Sequence, residues 1–287
     1  MRRSSIVLAA AALTACGGHT SSPSPAATPA AASGRTAAPA GPPTTLRYAP
    51  GSGRYRIESV VHSVTEVMGQ SQVVDATTTM LISSTTASDA SGNIAATFVV
   101  DSATATGQVP GIGTPDVSAL RGKTFHAVFT SAGRPVSLTV PDTTDPIMVQ
   151  MGETFREFLP TLPPAQIAGG ATWTDTTSNA TRQGGNNIRT RSIRTHRVVG
   201  WEQQGGVNAL HISTTGAYTI TGDGEAQGQA ITMSGAGTAT SERFVSATGA
   251  FQSLSASDSA NINVTVVSMG LEIPVRQSRR STITRLP

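Results

Sequence analysis

The chain has 287 residues with one cysteine, 4% aromatic and 13% charged residues, and a formal net charge of +3. A single cysteine excludes an internal disulfide and a multi-thiolate metal site. The charged fraction is about half of the roughly 25% that is usual in globular proteins, which excludes a highly charged disordered chain and a surface built throughout to hold nucleic acid.

Residues 1–15 have the pattern of a secretory signal peptide. Arg2 and Arg3 give a cationic start, and an apolar run of small residues follows from Ile6 to Leu13. This run is shorter than the roughly 20 apolar residues of a transmembrane helix, so we expect it to be cleaved and not to anchor the chain.

The only cysteine stands where the cleavage site belongs, in the sequence Leu13, Thr14, Ala15, Cys16. This motif resembles the lipobox of bacterial lipoproteins, and the alternative is a free or buried cysteine beside an ordinary cleavage site. The resemblance implies that Cys16 becomes an acylated first residue that holds the protein on a membrane, since more than one acyl chain gives stable anchoring. It therefore implies a lipid-anchored protein of the bacterial cell envelope. Glycine and not aspartate follows Cys16, which favours the outer membrane in a host with two membranes.

Residues 16–45 follow as a segment of almost only Gly, Ser, Thr, Ala and Pro. Such a composition has little to bury and cannot offset the entropy of ordering. We expect a disordered tether between the acylated cysteine and a folded domain at 46–287.

The composition changes at residue 46 to alternating Val, Ile, Thr and Ser with interspersed Gly. Period-two alternation predicts β-strands, and in residues 54–64 it slips by one near Ser59, which suggests a bulge. Turns are expected at Ser91 to Asn93, at Gly133 and at Gly249, where glycine accepts a positive φ. The further predicted strands cover 73–85, 94–104, 124–130, 136–140, 188–199, 209–221, 230–240, 244–254, 262–267 and 271–284. The prediction is a mainly β fold, a long antiparallel meander that forms an open or half-barrel sheet.

One segment has helical periodicity instead. Apolar residues from Ile147 to Leu159 fall on one face at 3.6 residues per turn, Asp145 and Pro146 suit a helix start, and Pro160 ends it. These signals predict one α-helix near residues 146–159 that covers the open face of the sheet.

Two short segments are similar to each other. Residues 129–138 and 245–254 share an apolar start followed by Gly, Ser and Leu at the same offsets. This leaves open whether residues 46–164 and 165–287 are two similar halves or whether the match arises by chance in a Ser- and Gly-rich chain.

An acylated cysteine, a Pro-rich tether and a β-meander with a covering helix resemble bacterial envelope lipoproteins of the LolA/LppX-like half-barrel group. The resemblance is architectural, and only the lipobox is a specific motif. It implies a concave apolar sheet face that accepts acyl chains or a lipidated partner. Such carriers have more helices than the single one predicted here.

The chain lacks the sequence motifs of phosphate-binding loops, serine hydrolases and zinc proteases. Its five histidines are scattered, and two carboxylates at Asp223 and Glu225 are too few for calcium. We therefore assign no catalytic residue, no metal and no cofactor.

Two predicted strands are rich in arginine, and the first contains Arg189, Arg191, Arg194 and Arg197. Guanidinium groups suit phosphate and carboxylate ligands, so these four residues are a candidate patch for anionic envelope polymers. The alternative is a charged edge strand that resists aggregation.

Large aromatic residues are scarce and are expected in the core or in a ligand groove. Trp173, Trp201, Phe155 and Phe158 are the candidates for groove-lining residues. The sequence thus favours a non-enzymatic binding or assembly module for a lipid, a lipidated protein or an anionic polymer. A tethered hydrolase whose site forms only in three dimensions, and a purely structural lipoprotein, are the alternatives.

Overall fold

The computed structural model describes residues 45–67, 69–108, 114, 116–163, 167–183, 186–226 and 228–287. The predicted signal peptide at 1–15 and Cys16 lie outside these residues. So does all of the predicted tether except Thr45.

The described residues form eleven strands and one α-helix, with short 3₁₀ turns at Ser118–Leu120 and Val267–Met269. The strands before the helix are β1 (Gly51–Val67), β2 (Gln70–Ser88), β3 (Ile94–Gln108), β4 (Thr124–Phe129) and β5 (Pro135–Thr139). The helix is α1 (Pro146–Arg156). The strands after it are β6 (Thr172–Gln183), β7 (Asn186–Gln204), β8 (Val207–Ala226), β9 (Gln229–Ser246), β10 (Phe251–Val266) and β11 (Leu271–Leu286).

All eleven strands belong to one antiparallel sheet in the order β5-β4-β3-β2-β1-β11-β10-β9-β8-β7-β6. The described chain therefore enters in the middle of the sheet, runs out to the edge strand β5, crosses by α1 to the opposite edge strand β6, and returns to pair β11 with β1. The predicted open antiparallel meander with one helix is confirmed. Residues 46–164 and 165–287 share this sheet, and their duplication stays a prediction.

The inner face of the sheet has three layers, which are clear in β8. Leu210 and Ile212 belong to the main apolar core, Thr214 follows, and Tyr218 and Ile220 belong to a second apolar cluster. Alternation puts every second residue of a strand on this face. The middle layer is polar because the inward-facing position between the two apolar clusters is occupied by a threonine. The sheet therefore holds a polar belt between two apolar layers.

The helix joins the main core through aromatic rings. Phe155 stacks on Phe98 at 4.6 Å between ring centroids and lies 4.9 Å from Phe125. Phe158 contacts Tyr55 at 5.0 Å and Phe251 at 5.1 Å. We call these six residues the aromatic core, and they pack the end of the helix against β1, β3, β4 and β10.

Asp145 caps the helix as predicted, since its Oδ1 accepts a hydrogen bond of 2.8 Å from the Ile147 amide. The helix ends at Arg156, three residues before the predicted end. The Phe158 amide donates to the Phe155 carbonyl instead of continuing the helical ladder, and Pro160 disfavours helical geometry in the residue before it. Phe158 and Leu159 are still buried.

Two strand predictions were wrong. No bulge interrupts β1, whose register with β2 and β11 is regular. The alternation slips because Ser59 and Ser63 face inward while Val60 is 47% exposed on the outer face. The predicted strand at 244–254 is divided by a turn between β9 and β10. Strand β6 was missed because it is an edge strand of mainly Thr, Ser and Asn.

The predicted turns at Gly92, Gly133 and Gly249 are confirmed, with φ of 77°, 85° and 79°. All three hairpin turns share one pattern, in which the residue three before glycine pairs with the residue after it. The similar segments at 129–138 and 245–254 contain two of these turns. Residues 45–50, which precede β1 and which we call the N-terminal segment, connect these two turns. The amides of Tyr48 and Ala49 donate to the carbonyl groups of Ser131 and Gly249.

Candidate functional site

A cavity of about 190 Å³ lies between α1 and the inner face of β1 and of the strands β6 to β11. We call it the polar cavity. The helix contributes Gln150, Glu153 and Thr154, and its C-terminal capping residue Glu157 continues the same face at spacings of three and four. The charged residues that line it are Glu153, Glu157, Arg194, Arg243, Asp258 and Arg279. Apolar lining comes from Ile57, Val149, Ile188, Ile220, Leu254 and Ile283.

Each arginine of the polar cavity is held by a serine two residues away on the same strand face. The Nε–H groups of Arg194, Arg243 and Arg279 donate to Ser192, Ser241 and Ser281 at 3.3, 3.1 and 3.0 Å. Arg279 also donates to Ser59 at 3.1 Å. A serine on Nε limits the rotation of each guanidinium and leaves the terminal amino groups for other acceptors.

The helix supplies the acceptor for Arg194. Its Nη2 donates to both carboxylate oxygens of Glu157, at 3.0 and 3.2 Å. The Arg194 side chain is only 14% exposed, so this ion pair is more sheltered than a surface pair. It fastens the C-terminal end of α1 to β7.

Asp258 is the unusual acid of the polar cavity. Burial raises the pKa of Asp258 to about 7, Arg279 opposes this shift, and the negative charge of Glu157 adds to it. Asp258 lies directly opposite Arg279 in the β10–β11 register. Within the described residues, no ion pair joins the two side chains, and Asp258 has no hydrogen-bond partner.

A second polar group lies beside the cavity at the start of β6. His196 Nδ1 is 2.9 Å from Thr214 Oγ1, and Nε2 is 3.2 Å from Asp175 Oδ2, at an angle outside hydrogen-bond geometry. Trp173 stacks on the imidazole at 4.9 Å. Burial tends to raise the pKa of Asp175, but His196 and Arg194 outweigh it and hold this pKa below its usual value. Thr214 lines the polar cavity, whereas His196 is almost fully buried behind it.

The other described histidines do not join this group. His62 contacts Asp75, His126 contacts Thr97, and His211 lies between Glu202 and Glu242. Among the residues that the structure describes, no group of three or more His, Cys, Asp and Glu is arranged to hold a metal ion. No helix in the same part of the chain has the length and apolar character needed to cross a membrane.

The four arginines of the predicted patch do not lie together. Arg189, Arg191 and Arg197 are exposed on the outer face of β7, whereas Arg194 lies on the inner face and lines the polar cavity. The odd and even positions of a strand face opposite sides, so a regular strand separates Arg194 from the other three. The four arginines therefore do not form one continuous patch on a single face of the sheet.

The predicted groove-lining aromatic residues do not line the polar cavity. Phe155 and Phe158 are 0% and 2% exposed within the aromatic core. Trp173 and Trp201 are partly buried and pack against the main core. The chain has few large aromatic side chains, and burial in the core stabilises them most. The cavity is therefore lined by smaller and polar residues instead.

Sequence reasoning missed Glu157, Arg243, Asp258 and Arg279 as site residues. A signal for the arginines exists, because each has a serine at the second position before or after it, as in Ser192-Ile193-Arg194. Such a spacing becomes informative only when the strand is known to present both side chains to a cavity.

No protein-family model matches the chain, and no curated protein matches its sequence. Solved structures with some similarity include a mutant Rhodopseudomonas blastica porin, at 8% identity and a TM-score of 0.24 over 82% of this chain and 100% of the porin. Pseudomonas aeruginosa OccK2 in complex with glucuronate has 8% identity and a TM-score of 0.25, over 82% and 98%. A Vibrio parahaemolyticus domain described as an outer membrane lipoprotein-sorting protein has 7% identity and a TM-score of 0.18, over 81% and 83%. TM-scores at this level do not define a shared fold.

Proposed function

We propose that this protein is a non-enzymatic binding module of the bacterial envelope that holds a small amphipathic ligand in the polar cavity. The observation that carries the proposal is the mixed lining, in which three oriented arginines lie beside isoleucine and leucine side chains. Binding sites for small molecules combine an apolar wall with a few placed polar groups in this way.

The size of the cavity restricts the ligand. At about 190 Å³, it is slightly larger than an engineered apolar cavity of roughly 150 Å³ that binds benzene. A short acyl chain, or one end of a longer lipid, fits this volume. The proposal therefore favours a lipid or a lipidated protein over a whole polymer chain as the bound species.

Mass spectrometry of the purified full-length protein under native conditions tests this proposal. We expect a bound lipid whose release leaves the domain folded. Replacement of Leu254 by Trp fills the apolar side of the cavity and should abolish the bound mass. Replacement of Val199, which is 46% exposed on the outer face of β7, by Trp is the control. Purification without any bound amphiphile, and no binding of added ones, would contradict the proposal.

The envelope location and the anchor rest on the resemblance of residues 13–16 to a lipobox. We propose that acylated Cys16 holds the domain on a membrane, the outer one where the host has two. Cys16→Ser should move the protein from the membrane fraction to the soluble fraction, and mass spectrometry of the mature N-terminus should find the acyl groups. An unmodified cysteine in the wild-type protein would contradict the anchor.

A hydrolase is the second candidate, and the row of Thr214, His196 and Asp175 favours it. A hydroxyl, an imidazole and a carboxylate in contact are the parts of a nucleophilic site. Against this, the contact between His196 and Asp175 is outside hydrogen-bond geometry, and His196 is almost fully buried. Incubation with short-chain nitrophenyl esters, comparing wild type with Thr214→Val, decides between them: activity that this variant abolishes would support the hydrolase.

A further inference from the structure

On the inner face of the sheet, a carboxyl group and a guanidinium group lie side by side, and no ion pair joins them within the described residues. Asp258 and Arg279 are register partners on β10 and β11, and both line the polar cavity. Arg279 Nε is held by Ser59 and Ser281. In the described part of the chain, the terminal amino groups of Arg279 have no hydrogen-bond partner.

The other charges around Asp258 already have partners. At the end of α1, Glu157 accepts from Arg194. Within α1, Glu153 forms an ion pair with Arg156 at 3.1 Å and accepts a hydrogen bond from Asn179 at 2.8 Å. On β9, Arg243 is held by Ser241, and it has a further contact. The neighbouring β1 contributes an uncharged Ser59 to the inner face. Asp258 and Arg279 are thus the pair with capacity for a ligand.

The count of charges shows what kind of ligand fits. Three acids, Glu153, Glu157 and Asp258, and three arginines line the polar cavity. An anionic ligand would add a negative charge to this balanced set in a partly desolvated space, which is costly. A proton on Asp258 removes one negative charge and turns this carboxyl into a hydrogen-bond donor.

We propose that Arg279 and protonated Asp258 form a subsite for the single acidic head group of a short amphiphile, whose binding is coupled to the uptake of one proton. This inference rests on the proposed binding function and names its ligand class. The guanidinium and the carboxyl O–H donate to the oxygens of the head group. The alkyl part lies against Leu254 and Ile283, which line the same cavity. The coupling operates near neutral pH, because burial raises the pKa of Asp258 to about 7.

Titration calorimetry with octanesulfonate and octanol tests the subsite in the full-length chain carrying Cys16→Ser. The sulfonate stays ionised throughout, so its pH dependence reports the protein. We expect it to bind about tenfold more tightly at about pH 6 than at about pH 8, with proton uptake, because the protonated fraction of a group with a pKa near 7 changes by that factor. Octanol should show no such dependence. Octanoate and octyl phosphate then distinguish a carboxylate from a phosphate head group.

Variants separate the subsite from the cavity. Asp258→Asn should bind the sulfonate independently of pH, and Arg279→Gln should lose about tenfold in sulfonate affinity with octanol binding unchanged. Arg280→Gln, on the exposed outer face of β11, is the matched control. Sulfonate and octanol binding of equal strength and no pH dependence would overturn the subsite and leave the proposed function intact. Failure of both ligands to bind would overturn the proposed function as well.

Discussion

The two faces of α1 meet very different surroundings, although one short helix carries both. On one face, Phe155 is fully buried in the aromatic core. On the other face, Thr154 and Glu157 line the polar cavity. One face of the helix thus completes the apolar core, whereas the other face presents polar side chains to the sheet. Stability comes mainly from the first face, and we expect ligand binding at the second.

The buried face of α1 also packs closely against the edge of the sheet. A Cβ on Gly152 would lie 2.7 Å from a methyl group of Val140 and 3.1 Å from Leu138. Glycine therefore lets α1 pack directly on the β5 side. On the side of β6 and β7 the helix is held instead by polar links, from Glu153 to Asn179 and from Glu157 to Arg194.

The largest expected loss of stability comes from a substitution in the aromatic core. Phe155→Ala should lower the free energy of unfolding by about 3–5 kcal/mol, because it leaves a cavity among Phe98, Phe125 and Phe158. Thr154→Ala, one residue away on the face towards the polar cavity, should stay within about 0.5 kcal/mol of wild type. Denaturant unfolding measures both. Equal losses in the two variants would contradict the difference between the faces.

The second largest expected loss of stability concerns the turn at Gly249, which contacts the N-terminal segment. A Cβ on Gly249 would lie 2.1 Å from the Arg47 carbonyl oxygen, whereas one on Gly92 meets nothing within 4 Å. Gly92→Ala should cost about 1 kcal/mol for its positive φ, and Gly249→Ala about 2–3 kcal/mol because the segment must also move. Thermal unfolding compares the two. Similar costs would show that the segment does not tie the two sides of the sheet together.

The pH dependence of stability sharpens the comparison at the polar cavity. The folded-state pKa of Asp258, about 7, lies above its unfolded value, so its contribution is present at low pH and is lost as the pH rises through about 7. Wild type should therefore lose roughly 1 kcal/mol between about pH 6 and pH 8 relative to Asp258→Asn.

Asp89 provides the control for this measurement. Hydrogen bonds from Asn93 and Ser91 lower the pKa of Asp89, so its contribution is lost only as the pH falls through this lowered pKa. Asp89→Asn should therefore keep a constant difference from wild type across the same range. A parallel pH profile for the Asp258 variant and wild type would contradict the assignment.

The smallest expected effect concerns the polar link between helix and sheet. Glu157→Gln should destabilise the protein by about 0.5–1 kcal/mol, because the Glu157 side chain is 36% exposed and its ion pair is partly screened. A double-mutant cycle with Arg194→Gln isolates the coupling. A coupling indistinguishable from zero would mean that the aromatic face alone holds α1 in place.

Local signals predicted much of the fold. Asp145 and Pro146 marked the start of the helix, and the glycines at 92, 133 and 249 marked turns, because caps and positive φ depend on neighbours in the chain. Strand β6 escaped because an edge strand of Thr, Ser and Asn lacks an apolar pattern. The candidate site escaped almost entirely. Arg194 was the one cavity-lining residue among the predicted candidates, and it was grouped with three residues of the opposite face.

The sequence by itself determined the β-meander, the single capped helix and the turns, since alternation, capping and glycine conformation are local properties. Only the tertiary structure decided the pairing of β1 with β11 and the meeting of Glu157, Arg243, Asp258 and Arg279 around one cavity. Glu157 follows α1 and is far in the chain from Arg243, Asp258 and Arg279, which lie on the consecutive strands β9, β10 and β11. The register of these strands sets which face each side chain occupies. The surroundings of Asp258 also depend on the tertiary structure, because burial and the nearby Glu157 arise only when the helix covers the sheet.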